Sequence, residues 1–143
     1  MENRELALWH ARGRQLIGAA FMLAPGLAGS PWIGPDARRR PVKVLARAFG
    51  ARELAIGLGV VIALDRGAPV RGWIEAGALS DAVDAVASLL AGSSIPSALR
   101  WPCAAFGAGS AALGAWLAPQ VEQPDPIAGE TPESALTGHP AQP

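Results

Sequence analysis

The runs QLIGAAFMLAPGLAGSPWIGP (residues 15–35) and WPCAAFGAGSAALGAWLAPQV (residues 101–121) each extend for 21 residues without a charged side chain. A helix needs about 20 mainly apolar residues to cross a bilayer core of about 30 Å. Both runs reach that length, although Ala and Gly supply much of their content. Between them lie two apolar stretches that do carry charge. VLARAFGARELAIGLGVVIAL (44–64) holds Arg47, Arg52 and Glu53; WIEAGALSDAVDAVASLLAG (73–92) holds Glu75, Asp81 and Asp84. The connecting segments GSPWIGPDARRRP, DRGAPVRG and SSIPS have the composition of turns. Four helices on short loops predict an all-α fold, a four-helix antiparallel transmembrane bundle over residues 1–118.

The five tryptophans give the same expectation a second footing. Trp9, Trp32, Trp73, Trp101 and Trp116 stand near the ends of the expected spans. Indole rings concentrate at membrane–water interfaces, where the ring is apolar and its N–H is satisfied. Pro25 is expected to be accommodated within the first span, since membrane helices tolerate proline. Arg12 and Arg14 ahead of that run, with LAGS after it, resemble a secretory signal. The run is too long for a signal core, and further spans follow, so it reads as a span.

Net charge is zero, with 12 basic and 12 acidic residues, which argues against a nucleic-acid-binding surface. The single cysteine, Cys103, excludes an internal disulfide framework and a multi-cysteine metal site. The neutral total conceals a division. Residues 1–118 hold all 12 basic and 8 acidic groups, a net of +4; residues 119–143 hold 4 acidic groups and no basic ones. That last segment also contains 6 of the 13 prolines and is expected to be a disordered acidic tail. Loop charges barely set an orientation. The cluster Arg38–Arg40 tips its loop toward the cytoplasm.

Charges inside a span cost about 2.5–3.5 kcal/mol each at the centre of a helix, so those present mark candidate functional residues. Arg52, Glu53, Asp81 and Asp84 form that set. Asp81 and Asp84 share one helix face, which Gly77 and Ser88 extend as a polar, small-residue stripe. Folding spans two and three about the loop midpoint, near Ala68–Pro69, brings Asp84 level with Arg52 and Glu53. The expectation is an Arg52–Asp84 ion pair, joined by Asp81, facing the bundle interior. Such a cluster either fixes helix register or serves as a proton, cation or substrate site.

Other signals are thinner. A D-x-x-D pair also occurs in metal–diphosphate enzymes, but the glycine, arginine and second aspartate pair that accompany it there are absent. No enzymatic activity, metal or cofactor is expected. Ala104, Ala108, Ala111 and Ala115, with Gly107 and Gly114, form a small-residue face suited to close helix packing. Cys103 is read as buried or lipid-facing, and His10 as an interfacial residue.

The segment Phe49-Gly50-Ala51-Arg52-Glu53-Leu54, with Asp81-x-x-Asp84 following, resembles a pattern in an uncharacterised family of small four-helix bacterial integral membrane proteins. That resemblance covers about residues 12–118. It implies a membrane location and four helices, and no activity. Eleven arginines to one lysine, with abundant Ala, Gly and Pro, point to a GC-rich bacterial genome. The expected location is the inner membrane, multi-pass, with the lipid bilayer and a membrane-protein partner or second copy as partners. The expected role is structural or accessory. The alternatives are a small transporter or proton-coupled carrier using Arg52, Glu53, Asp81 and Asp84, or a soluble Ala-rich helical bundle.

Overall fold

Three prolines within eleven residues, Pro25, Pro31 and Pro35, decide where the first helix stops. In the computed structural model, which describes residues 2–121, helix α1 spans Glu2–Leu23. Ala24 then leaves helical geometry at φ −131° and ψ 56°, because the ring of Pro25 disfavours the helical basin in the residue before it. The chain continues through the single turns α2 (Pro25–Ala28) and α3 (Ser30–Ile33) and a 3₁₀ segment, Gly34–Arg38. This stretch leaves the axis of α1 at 118°. The run 15–35 is therefore not one straight span, and the expectation that Pro25 sits within a continuous helix is corrected.

Three long helices follow: α4 (Arg40–Arg66), α5 (Arg71–Leu90) and α6 (Ser97–Leu117). Helix α4 ends at Gly67, whose φ of 65° is left-handed and favours glycine, with the cap N–H bonded to the Ala63 carbonyl. Among the described residues, no single helix is long and apolar enough to cross a membrane. The bent pair Glu2–Leu23 and Pro25–Arg38 meets the length and composition required when its two arms are taken together.

The helices alternate in direction, and glycine sets how closely they approach. A Cβ on Gly18 would lie 2.7 Å from the Gly50 carbonyl oxygen, and one on Gly57 would lie 2.7 Å from that of Ala11. As the position falls on α1 it rises on α4, so the two are antiparallel with backbones in near contact. Between α5 and α6, Gly107 faces Asp81 and Ala85, while Gly114 faces Ala78. Trp73 of α5 lies directly over Gly59 of α4. An up-down-up-down arrangement results, as the short connections predict.

The packing face of α6 is not quite the expected one. Ala104, Gly107 and Gly114 are buried, whereas Ala108 and Ala115 are exposed. At one end of the bundle Ala7, Ala11, Val60, Val70 and Leu117 form the apolar core. Val121 is buried against them, and Asn3 donates a 2.9 Å hydrogen bond to Gln120. Residues beyond 118 thus pack on the body as far as Val121 at least, because Val121 has an apolar seat to occupy. The remainder of the expected tail, residues 122–143, lies outside the described residues.

Small residues fill the helix seams, and many large apolar side chains point outward. Leu16, Leu23, Leu79, Leu90 and Phe106 are each more than two-thirds exposed. Trp9, Trp101 and Trp116 are exposed as well, Arg12 lying over the ring of Trp9. Trp32 departs from the interfacial expectation. It turns inward against Phe21 and Phe49, and its Nε1 donates to Ser88 Oγ at 2.8 Å.

Candidate functional site

At mid-height all four long helices contribute to one charged network. Its centre is Arg14 of α1, which is 4% exposed. Arg14 Nη1 donates to Glu53 Oε2 on α4 at 2.7 Å, and Nη2 donates to Asp81 Oδ2 on α5. Glu53 and Asp81 are buried too. The guanidinium fits because residue 77, one turn before Asp81, is glycine: a Cβ there would stand 3.0 Å from Nη2. Helix α6 closes the network through Ser110, whose hydroxyl donates to Asp81 Oδ2 at 2.6 Å. His10 Nε2 lies 2.9 Å from the same hydroxyl.

A second pair borders the first. Arg52 donates to both carboxylate oxygens of Asp84, from Nη1 at 3.3 Å and from Nη2. It also reaches Glu53 Oε1 at 3.3 Å, and its guanidinium stacks over Phe49 at 4.8 Å. Ser88 donates to the Asp84 carbonyl at 2.7 Å and accepts the Trp32 N–H, tying the pair to the aromatic group. Isolated charges at this depth would be expelled or neutralised, whereas mutual pairing with complete hydrogen bonding offsets desolvation. Among the described residues, no buried side-chain nitrogen or oxygen lacks a partner.

The carboxylates of Glu53, Asp81 and Asp84 lie within 4.8 Å of one another. That spacing could seat a cation, but guanidinium groups already stand among these oxygens. Three carboxylates face two guanidiniums, leaving the network one negative charge in excess when all five are ionised.

Beside the network lies a cavity of about 570 Å³. It is bounded by α1 and α6, with α3 at one end, and its walls are mainly apolar: Ile17, Phe21, Trp32, Phe49 and Phe106. Arg14, Glu53, Asp81 and Asp84 form its charged side, next to His10 and Ser110. Tight seams join α1 to α4 and α5 to α6. Between α1 and α6 the space stays open, and exposed Phe106 stands at the opening.

All four expected residues, Arg52, Glu53, Asp81 and Asp84, converge here, and the Arg52–Asp84 pair forms. Asp81 does not join that pair; Arg14 takes it instead. Arg14, His10 and Ser110 are members that sequence reasoning misses. Arg14 reads as the charged boundary of an uncharged run, and His10 as interfacial, because nothing local reveals that α1 enters so deeply. The available signal is arithmetic: Glu53 and Asp84 share one level with Arg52 and Asp81 lies one turn nearer the loop, so three carboxylates face one guanidinium and call for a proton or another cation. No known protein family, curated protein or solved structure matches the chain.

Proposed function

We propose that the protein is a small multi-pass integral membrane protein of a bacterial inner membrane, with a structural or accessory role. The observation that carries this reading is the distribution of side chains. Large apolar residues such as Leu16, Leu23, Leu79 and Leu90 face outward, while the interior is rich in Ala and Gly around a paired ionic network, with Val60, Val70, Ile74 and Leu117 gathered at one end. A chain folding in water gains most by burying its largest apolar groups. A chain folding in lipid has no such drive and associates through small residues and interhelical polar bonds. The network also accounts for part of the modest hydropathy of α4 and α5, since Arg52, Glu53, Asp81 and Asp84 turn inward to partners. Outward-facing Arg12 lies along the Trp9 ring, an arrangement suited to a long cationic side chain reaching for the interface.

Alkaline carbonate extraction of membranes from expressing cells tests the reading. The protein is expected in the pellet; complete release into the supernatant removes the proposal. A carrier is the second reading, favoured by the cavity beside the network. Reconstitution into proteoliposomes containing a pH-sensitive dye, under an imposed potential, tests it. Proton flux absent in the wild type, or unchanged by Asp84→Asn, eliminates a proton-coupled carrier.

A further inference from the structure

We infer that the cavity between α1 and α6 is a binding site for a small organic cation, an amine or quaternary ammonium carrying an apolar body. The inference names the ligand class for the site used by the carrier reading, but it requires only the cavity and holds without transport. Size comes first. A volume of about 570 Å³ falls within the ~300–1,000 Å³ typical of small-molecule sites, and its walls are largely apolar, so the ligand's body is apolar.

Charge comes second. On the cavity side stand Glu53, Asp81 and Asp84 against the single guanidinium of Arg14. With Arg52 paired to Asp84, the network is one cation short when its three carboxylates are ionised. An anionic ligand would meet three carboxylates at close range. A cationic one restores balance, and in a low-dielectric cavity that preference is much stronger than in water.

The third observation is independent of the carboxylates. Phe21, Trp32 and Phe49 form one aromatic group, with centroids 4.6 Å apart for Phe21–Phe49 and 5.1 Å for Trp32–Phe49. All three line the cavity, and Phe106 adds a further ring at its mouth. Aromatic faces attract ammonium groups, and arrays of them are used to bind quaternary nitrogen. Arg52 already lies over Phe49 in this way. Aromatic walls beside an under-neutralised carboxylate group select for positive charge on an apolar frame. Neither feature alone would.

The test uses the full-length protein, purified in detergent or, if it proves extractable without one, in buffer, so failure of the membrane reading does not decide the result. Three probes share one shape: phenethyltrimethylammonium, its neutral carbon isostere 3,3-dimethylbutylbenzene, and anionic 3-phenylpropanoate. Binding is followed by calorimetry and by tryptophan fluorescence. The cation is expected to bind saturably, about tenfold or more tighter than the neutral isostere, with no binding of the anion. Phe106→Ala, at the exposed mouth, should weaken the cation severalfold without affecting the fold. Asp84→Asn should abolish the preference for cation over isostere. Leu16→Ala, on the outer surface, should change nothing and controls for partitioning into micelles. No saturable cation binding by protein with intact helical circular dichroism overturns the inference. So does equal affinity for the three probes, or cation binding unaltered by both Phe106→Ala and Asp84→Asn.

Discussion

Arg14 and Arg52 stand side by side in one network, yet they are held in different ways. Arg14 is sealed: its side chain and that of Glu53 are about 5% exposed, and its two bonds reach two other helices. The Arg52 side chain is 34% exposed and its main partner, Asp84, 20%. Arg14 links α1 to α5, which run parallel and are not neighbours in the chain. Arg52 links α4 to α5, which the loop at Gly67–Val70 already holds together. The first pairing therefore specifies how the halves of the bundle meet, and the second trims a hairpin that closes anyway.

The largest test of that contrast is Arg14→Met. It leaves Asp81 buried without its cation and Glu53 with only the 3.3 Å contact to Arg52, and breaking a buried pair in this way costs about 3–5 kcal/mol. Denaturant unfolding of the full chain should register the loss, together with weakened cross-helix order. A cost close to that of the equivalent change at Arg52 would erase the distinction. A finer test is Gly77→Ala. The added methyl would stand 3.0–3.2 Å from three atoms of the Arg14 guanidinium. Displacing that group should cost about 1–2 kcal/mol, a typical overpacking penalty, even though alanine is the better helix former.

The same contrast explains what was legible in the sequence. Arg52 and Asp84 belong to consecutive helices on a short loop, so reflecting one through the loop midpoint finds the other. Four helices and their alternation follow from the same reasoning. Arg14 meets Asp81 across 67 positions in a parallel pairing, and no local pattern encodes that distance. The break at Ala24 was legible in kind, since Pro25, Pro31 and Pro35 stand in the sequence, but an absence of charge outweighed them. Trp32 was misplaced for a related reason. Being at the end of an uncharged run says nothing of which way a chain turns after it, and this chain turns the ring inward to Ser88. The burial of Val121, three residues past the expected boundary, depends on an apolar seat supplied by α1, α4 and α5.

Arg52→Met should cost only about 1 kcal/mol, in the range of exposed pairs, because Asp84 keeps access to the cavity and Glu53 keeps Arg14. The reciprocal exchange sharpens the point. Arg52→Asp combined with Asp84→Arg should unfold at higher denaturant than either single change, since the exchange restores one cation and one anion at the same level of the hairpin. If the double variant is no better than the singles, the contact between Arg52 and Asp84 carries no coupling energy, and Arg52 serves Glu53 alone.

The smallest effect calibrates the Gly77 result. Gly109 lies on α6, and a Cβ there would meet nothing within 4 Å. Gly109→Ala removes backbone freedom from the unfolded chain and should stabilise by about 0.5–1 kcal/mol. Gly77→Ala carries the same backbone gain plus whatever the guanidinium costs to move. The difference between these two substitutions therefore isolates how tightly Arg14 is seated. Were the two equal, Arg14 could shift freely within its site. Its burial would then reflect loose filling of space rather than a fixed link between α1 and α5.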